Sequence, residues 1–187
     1  MSSVRKLSEL KQVDDTEKTE EILDNLELPY DDFYRIINMT KKLAIPPPEL
    51  DVFASEMNSK CTDCITKEMD AYHTEWLLPD SQQKPKSNYI NAPHSNYEKA
   101  VKRIHNQFIK HDYSMICLIP SNNERTYYWK KLVEQYRIDV NKHDGYIFYF
   151  PYDQPITFEL NGKPMPYHSR NSYKITLWIG SKDIQNF

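Results

Sequence analysis

The stretch that decides the fold runs from Asn88 to Pro120 and reads NYINAPHSNYEKAVKRIHNQFIKHDYSMICLIP. Ser95 and Glu98 stand three residues apart, as in a helix capping box. The apolar positions that follow share one helical face: Tyr97, Val101, Ile104 and Phe108. On either side lie a short strand pattern at Asn88–Asn91 and the apolar run Tyr113–Ile119, which is typical of a strand buried on both faces. The stretch therefore predicts a strand–helix–strand unit of a parallel sheet.

The same alternation continues outward in both directions. Upstream, a helix is predicted from Asp31 as N-cap, and a short strand at Glu49–Ala54. Downstream, Ser121 and Glu124 predict a second capped helix. Candidate strands then follow at Tyr146–Phe150, Ile156–Leu160 and Tyr173–Ile179, with Asn161-Gly162 as a turn. We predict an α/β fold: a mostly parallel sheet with flanking helices and a C-terminal antiparallel hairpin.

Length and charge predict one domain behind an acidic leader. The 187 residues suit a single domain, which we place at 29–187, after a leader at 1–28. Residues 1–32 carry ten acids and four bases, a balance of -6, whereas residues 33–187 carry a balance of +3. A mildly basic body is compatible with nucleic acid. The sequence has neither a membrane-spanning apolar run nor a signal-peptide core, so we expect a cytoplasmic protein without a membrane partner.

Glycine and cysteine usage excludes several classes of protein. The three glycines stand at 145, 162 and 180, which excludes a Walker loop and a G-x-G-x-x-G dinucleotide fingerprint. Cys61 and Cys64 form a C-x-x-C pair, but further ligands at zinc-site spacing do not follow them. We interpret these residues and Cys117 as reduced structural thiols, and we predict no metal site.

Polar residues follow three of the predicted strands. They lie at Asp51–Ser55, Asn91–Ser95 and Pro120–Asn123. Ligands of open α/β sheets bind beyond the carboxyl ends of the strands, where two of these segments also lead into helix N-termini. The three segments are therefore predicted to form one site.

Four segments in this order resemble a known family. They are LDVFASEMNSKC (Leu50–Cys61), ITKEMDAYHTEW (Ile65–Trp76), NYINAPHS (Asn88–Ser95) and CLIPSNNERTYYW (Cys117–Trp129). Together they resemble the phage-type DNA N-6-adenine methyltransferase (Dam) family, whose members show LDVAA…NAKC, DGL…W, NPPY and LLPA…T-W segments. The resemblance covers roughly residues 45–180, and several weak motifs in the family's order are more specific than any one of them.

The resemblance implies a class I methyltransferase-like (Rossmann-like) fold and S-adenosylmethionine as cofactor. The implied reaction is methylation of the exocyclic N6 amine of adenine in DNA, in the nucleoid or in the cytoplasm of a phage-infected host. By position in the motifs, the cofactor-binding residues would be Asp51, Ala54, Asn58 and Asp70, and the catalytic tetrad would be Asn91, Ala92, Pro93 and His94.

The tetrad has a physical purpose in this chemistry. An asparagine oxygen and the following backbone carbonyl accept both N–H bonds of the amine, which directs its lone pair toward the methyl donor. The fourth residue normally packs against a base that has been flipped out of the duplex. Here Ala92 replaces the first proline of NPPY, His94 replaces the tyrosine, and Ala71 replaces the glycine of DGL.

These replacements keep a second hypothesis open, in which a catalytically degenerate methyltransferase fold serves as a nucleic-acid or partner-binding module. Ordinary structural roles also stay open for the single residues. Asn91 has the alternative of a turn residue, Asp51 of an N-cap or loop carboxylate, and Asp70 of a surface acid. The tyrosines Tyr72, Tyr89 and Tyr97 are candidates for stacking on a base. The basic face of the capped helix, formed by Lys99, Lys102, Arg103 and Lys110, is interpreted as an ordinary solvated helix face, with nucleic-acid contact as the alternative.

Overall fold

The computed structural model describes residues 26–55, 57–111, 113–120, 145–149, 156–160, 162–164 and 175–180. Within these residues the strands are β1 (Leu50–Ala54), β2 (Asp63–Thr66), β3 (Ser87–Ile90), β4 (Ser114–Pro120), β5 (Gly145–Tyr149), β6 (Glu159–Leu160), β7 (Lys163–Pro164) and β8 (Ile175–Gly180). The helices among the described residues are α1 (Tyr30–Lys41) and α2 (Tyr97–Lys110), and a 3₁₀ turn at His94–Asn96 leads into α2.

Six of the strands form one sheet in the order β2-β1-β3-β4-β8-β5. The first four are parallel to one another, whereas β8 is antiparallel to both of its neighbours, β4 and β5. Strands β6 and β7 form a separate antiparallel hairpin across the predicted turn, with Gly162 at a φ of 70°. The predicted mostly parallel sheet with antiparallel C-terminal strands is confirmed.

Each face of the sheet is covered by one of the two helices in the described part of the chain. On one face α2 buries the predicted positions Tyr97, Val101, Ile104 and Phe108 against β1, β3 and β4. On the other face α1 buries Phe33, Ile36 and Ile37. Side chains of β4 alternate between the two cores, since Met115 and Cys117 face α2 while Ile116 and Leu118 face α1. The prediction that this strand is buried on both faces is confirmed.

The helix boundaries differ slightly from the sequence patterns. The N-cap of α1 is Pro29, so the helix begins at Tyr30, one residue before the predicted cap Asp31. The N-cap of α2 is Asn96, and it makes no side-chain cap hydrogen bond. The prediction of Ser95 as the cap was therefore wrong, because the 3₁₀ turn takes up Ser95 before the α-helix begins.

Strand β2 was missed by the sequence analysis. Its four residues DCIT include only one large apolar side chain, that of Ile65, which is buried. This edge strand is recognisable by its pairing with β1, which depends on tertiary structure.

The N-terminal part of the described chain packs beside the β6–β7 hairpin. Glu27 and Glu159 exchange two backbone hydrogen bonds of 2.8 Å, and Leu26 and Leu28 are buried. The rest of the predicted leader and the predicted helix at Ser121 lie outside the described residues. None of the described helices has the length and apolar character needed to cross a membrane.

Candidate active site

The strand order creates a crevice between β1 and β3. From β1 the chain moves to one side to form β2, and it then returns to the other side of β1 to form β3. Ligands of open α/β sheets bind beyond the strand ends where the order reverses in this way. A cleft of about 730 Å³ lies at this point, a size typical of a small-molecule site.

Six of the eight predicted site residues line this one cleft: Asp51, Ala54, Asn58, Asp70, Asn91 and Pro93. The sheet therefore brings together residues that lie far apart in the sequence. The third predicted segment reaches the end of β4 at Pro120, and its remainder lies outside the described residues. A second pocket of about 410 Å³ lies on α1 beside Tyr34 and Lys42, away from the strand ends.

The tetrad follows β3 directly. Asn91 is half-buried and lines the cleft together with Pro93. Ala92 is 2% exposed, belongs to the core on the α2 face and does not line the cleft. His94 begins the 3₁₀ turn that leads into α2. The functional roles of these four residues stay predictions.

Asp51 is a strand residue, neither a cap nor a loop carboxylate. It is the second residue of β1 and is 3% exposed, and its Oδ2 accepts a 2.7 Å hydrogen bond from the backbone N–H of Lys60. Burial raises the pKa of Asp51 from 3.8 to about 7, although the Lys60 N–H and ammonium oppose this shift. The cleft thus contains a carboxyl group that titrates near neutrality.

Lys60 was not singled out by the sequence analysis, and Tyr89 was considered there only as a stacking partner. The Lys60 ammonium lies 4.4 Å from the ring centroid of Tyr30 and donates to the side-chain oxygen of Asn58. Burial lowers the pKa of Lys60, while nearby carboxylates, Asp51 foremost, raise it through their charges. Tyr89 pairs in register with Asp51. We call Glu27, Asp51, Lys60 and Tyr89, which all line the cleft, the ionic compartment.

The other side of the cleft is aromatic. The rings of Phe53 and Tyr72 lie 5.0 Å apart at a 58° angle, and both pack against the core on the α2 face. Phe53 has a φ of 68° and is the extra residue of a β-bulge in β1. Left-handed backbone at a non-glycine residue is strained and is concentrated at functional sites. We call this side of the cleft, formed by the rings of Phe53 and Tyr72 with Asp70 at its rim, the aromatic compartment.

Asp70 also makes local turn contacts. It has a φ of 52°, and its carboxylate accepts the backbone N–H of Tyr72 at 3.1 Å and contacts Nδ1 of His73 at 2.5 Å. The hydrogen bond with His73 is the largest cause of its lowered pKa. Asp70 is therefore an ionised carboxylate at the rim of the cleft. It stabilises the local turn, and its role in cofactor binding stays a prediction.

The three candidate stacking tyrosines have different surroundings. Tyr97 is buried, and its hydroxyl donates to the carbonyl of Leu118. Tyr89 is 1% exposed. Neither ring is accessible for stacking on a base, so that prediction was wrong for both; burial, which decides this, could not be derived from their position in the sequence. Tyr72 lines the cleft and has the Lys99 ammonium 4.3 Å from its ring centroid.

The basic face of α2 is largely paired. Lys102 contacts Glu98 at 2.8 Å, Lys110 contacts Glu75 at 2.6 Å, and Arg103 donates to the carbonyl of Thr74. These contacts match the interpretation of an ordinary solvated helix face.

The cysteines are free thiols in the structure. Burial raises the pKa of Cys61 and of Cys117, which disfavours the thiolate that redox or metal chemistry requires. Among the described residues, groups of three or more His, Cys, Asp or Glu side chains that could hold a metal ion are absent.

The family model of the DNA N-6-adenine-methyltransferase (Dam) family matches residues 36–150, which is more than half of the chain. The chain belongs to this family. The match begins within α1 and includes the four parallel strands and the whole cleft edge from Asp51 to Asn91. The fold is accordingly the class I methyltransferase-like, Rossmann-like α/β fold expected of a Dam-family protein. No individual curated protein matches the sequence.

Proposed function

We propose that this Dam-family protein transfers a methyl group from S-adenosylmethionine to the N6 amine of adenine in DNA. The observation that carries the proposal is the position of Asn91. It follows the strand at the switch point of the sheet and lines the cleft that the predicted cofactor residues also line. The proposed reaction needs DNA and donor in one compartment, which is the nucleoid or the cytoplasm of a phage-infected host.

The residues present fit a bound S-adenosylmethionine molecule. The cleft is about 730 Å³ in volume and has aromatic surface on one side and charged groups on the other. Tyr89 lines this cleft, and its buried hydroxyl lacks a hydrogen-bond partner among the described residues, which supports a role toward a ligand. Such a donor, when bound, supplies the electrophilic methyl group of its sulfonium.

The work of the protein is to orient the amine. The adenine lone pair is delocalised into the ring, so the amine is a weak nucleophile until both of its hydrogens are held. The side-chain oxygen of Asn91 and the backbone carbonyl of Ala92 would accept these two hydrogens. Because only the carbonyl of Ala92 is needed, the replacement of proline at this position leaves the acceptor in place.

The base must leave the duplex to reach this position. Pro93 lines the cleft next to Asn91 and offers apolar surface to the flipped base, with His94 proposed as its packing partner. Lys67 lines the cleft and Lys99 lies beside Tyr72, so two exposed lysines are available for phosphate contacts at its rim.

The test is methyl transfer to duplex DNA of mixed sequence, with N6-methyladenine measured by mass spectrometry. We expect product from the wild-type protein and a loss of about 100-fold or more in rate for Asn91→Ala, the scale expected when one charge-orienting group is removed. The matched control is Asn106→Ala, an exposed asparagine on α2, which should act like wild type. Equal rates for Asn91→Ala and the wild type, or methylation of cytosine, would overturn the proposal.

A second candidate function is a binding module that retains the cleft without turnover. The motivating observation is the chain's own tetrad, NAPH, in place of NPPY. This hypothesis predicts binding of S-adenosylhomocysteine and of DNA, measured by calorimetry and gel shift, together with the absence of N6-methyladenine in the transfer test. Product formation that depends on Asn91 rules it out.

A further inference from the structure

The hydroxyl of Tyr89 is a buried polar group for which the fold shows no use. The residue is 1% exposed, and its hydroxyl has no partner among the described residues. Its ring packs edge-on against Phe33, with centroids 5.1 Å apart, and a phenylalanine ring would make that contact equally well. An unpartnered buried hydroxyl is unfavourable, because it gives up its hydrogen bonds to water without replacement. The hydroxyl is therefore the part of Tyr89 that a ligand would explain.

Charged side chains of both signs line the same cleft as Tyr89. Lys60 contributes an ammonium, and the carboxylate of Glu27 lies close enough to raise the pKa of Lys60 through its charge. The backbone of Glu27 is fixed by its two hydrogen bonds with Glu159, so its side chain emerges from a defined position. A compartment with an ammonium, a hydroxyl and a carboxylate is complementary to a small zwitterion, that is, a group with its own carboxylate and ammonium.

We propose that Lys60, Tyr89 and Glu27 bind the amino-acid end of S-adenosylmethionine, an inference that rests on the proposed function. The ligand carboxylate accepts hydrogen bonds from the Lys60 ammonium and the Tyr89 hydroxyl, and the ligand ammonium donates to the Glu27 carboxylate. The adenosine then occupies the aromatic compartment, and the sulfonium lies between the two, beside Asn91. These three residues are positioning residues for the cofactor and take no part in the transfer step.

Two ligands separate this proposal from the proposed function. S-adenosylhomocysteine carries the amino-acid end, whereas 5′-deoxy-5′-methylthioadenosine has the same adenosine and thioether without it. We would measure both affinities by titration calorimetry on the full chain. Lys60→Met, Tyr89→Phe and Glu27→Gln should each weaken the binding of S-adenosylhomocysteine by about tenfold or more, since a hydrogen bond to a charged group contributes at least this factor. Each should leave methylthioadenosine within about twofold.

The stability of Tyr89→Phe distinguishes a ligand role from a structural one. Because the lost hydroxyl has no partner among the described residues, the melting temperature should be unchanged or higher while binding is weaker. A structural role would lower both. Lys84→Met, an exposed lysine in the loop before β3, is the matched control and should not change either affinity.

The possible outcomes lead to different conclusions. Selective loss of S-adenosylhomocysteine affinity in the three variants supports the proposal. Equal loss of both ligands, or no loss of either, overturns it while the proposed function stands. If the wild-type protein binds neither ligand, the proposed function fails, and this inference fails with it.

Discussion

The two compartments of the cleft begin on the same strand and differ because of one residue. Side chains of a regular strand alternate, so Asp51 and Phe53 would face the same side of β1. Instead, Phe53 is the extra residue of a bulge at a φ of 68°, and its ring packs against the core on the α2 face. Asp51 lies in register with Tyr89, whose ring belongs to the core on the α1 face. The bulge therefore separates an ionic side of the cleft from an aromatic side.

The two sides also differ in what holds them. Aromatic packing that includes the buried Trp76 supports Phe53 and Tyr72. In the ionic compartment, Asp51 is held by one backbone hydrogen bond and carries a burial penalty. We therefore expect the aromatic side to contribute stability and the ionised form of Asp51 to reduce it. Variants at three positions test this contrast.

The largest effect is expected for Trp76→Ala, which removes the buried ring that supports the aromatic side of the cleft. Trp76 is 0% exposed, its indole donates to the carbonyl of Ala71 at 2.9 Å, and its ring lies 6.2 Å from that of Phe53. Truncation should lower the free energy of unfolding by about 3–5 kcal/mol, measured by urea denaturation. Trp76→Phe keeps most of the volume and should cost less. A loss below about 1 kcal/mol for alanine would contradict the packing role.

Asp51→Asn tests the ionic side, and its effect depends on pH. Because the pKa is about 7 in the folded protein and 3.8 in a free carboxyl, the folded state binds a proton that the unfolded chain has released between these values. Wild-type stability from this group is therefore lost as pH rises from about 4 to 7, and the loss is complete above 7.

The asparagine side chain of this variant cannot ionise, so the variant should be more stable than the wild type at about pH 8, by an amount of order 1–4 kcal/mol, with the gap narrowing toward about pH 4. Thermal melts of both proteins across this range measure the difference. The control is Asp80→Asn, an exposed acid in the loop after Trp76, which should give a flat difference. If the stability difference between Asp51→Asn and the wild type grows as pH falls, the pKa of Asp51 is not raised by burial.

The smallest effect is expected at Phe53 and tests the bulge itself. Phe53→Ala and Phe53→Gly both remove the ring, so their comparison isolates the backbone. At a φ of 68° glycine should be more stable than alanine by about 1 kcal/mol, the reverse of the usual order in a strand. Urea denaturation of the pair measures this difference. If Phe53→Ala is more stable than Phe53→Gly, the left-handed backbone at this position does not explain the separation of the two compartments.

Much of the fold could be predicted because its signals are local. The helical spacing between Tyr97 and Phe108 and the apolar run of β4 placed these elements within one or two residues of their observed bounds. The pattern failed where an element depends on a distant partner or on local backbone detail. Strand β2 is defined by its pairing with β1, and Asn96 replaces Ser95 as the cap because a 3₁₀ turn intervenes.

The candidate site shows the same division. The order of motifs led to Asp51, Asp70 and Asn91 without any structure, and all three line one cleft. Lys60 and Tyr89, which we propose as contacts for the amino-acid end of the cofactor, could not be singled out from the sequence, because a lysine in a polar loop and a tyrosine in a strand have no distinctive spacing. What makes them notable is their position beside Asp51 in the cleft, where Tyr89 is buried and Lys60 half-buried.

The sequence alone determined the family, the alternation of strands and helices, and the candidate residues for the chemistry, because periodicity and motif order are local properties of the chain. The tertiary structure decided which side of the cleft each residue occupies. That depends on strand pairing, on a bulge at Phe53 and on how deeply Asp51 and Tyr89 are removed from water. These are properties of residues distant in sequence, so they arise only when the sheet assembles.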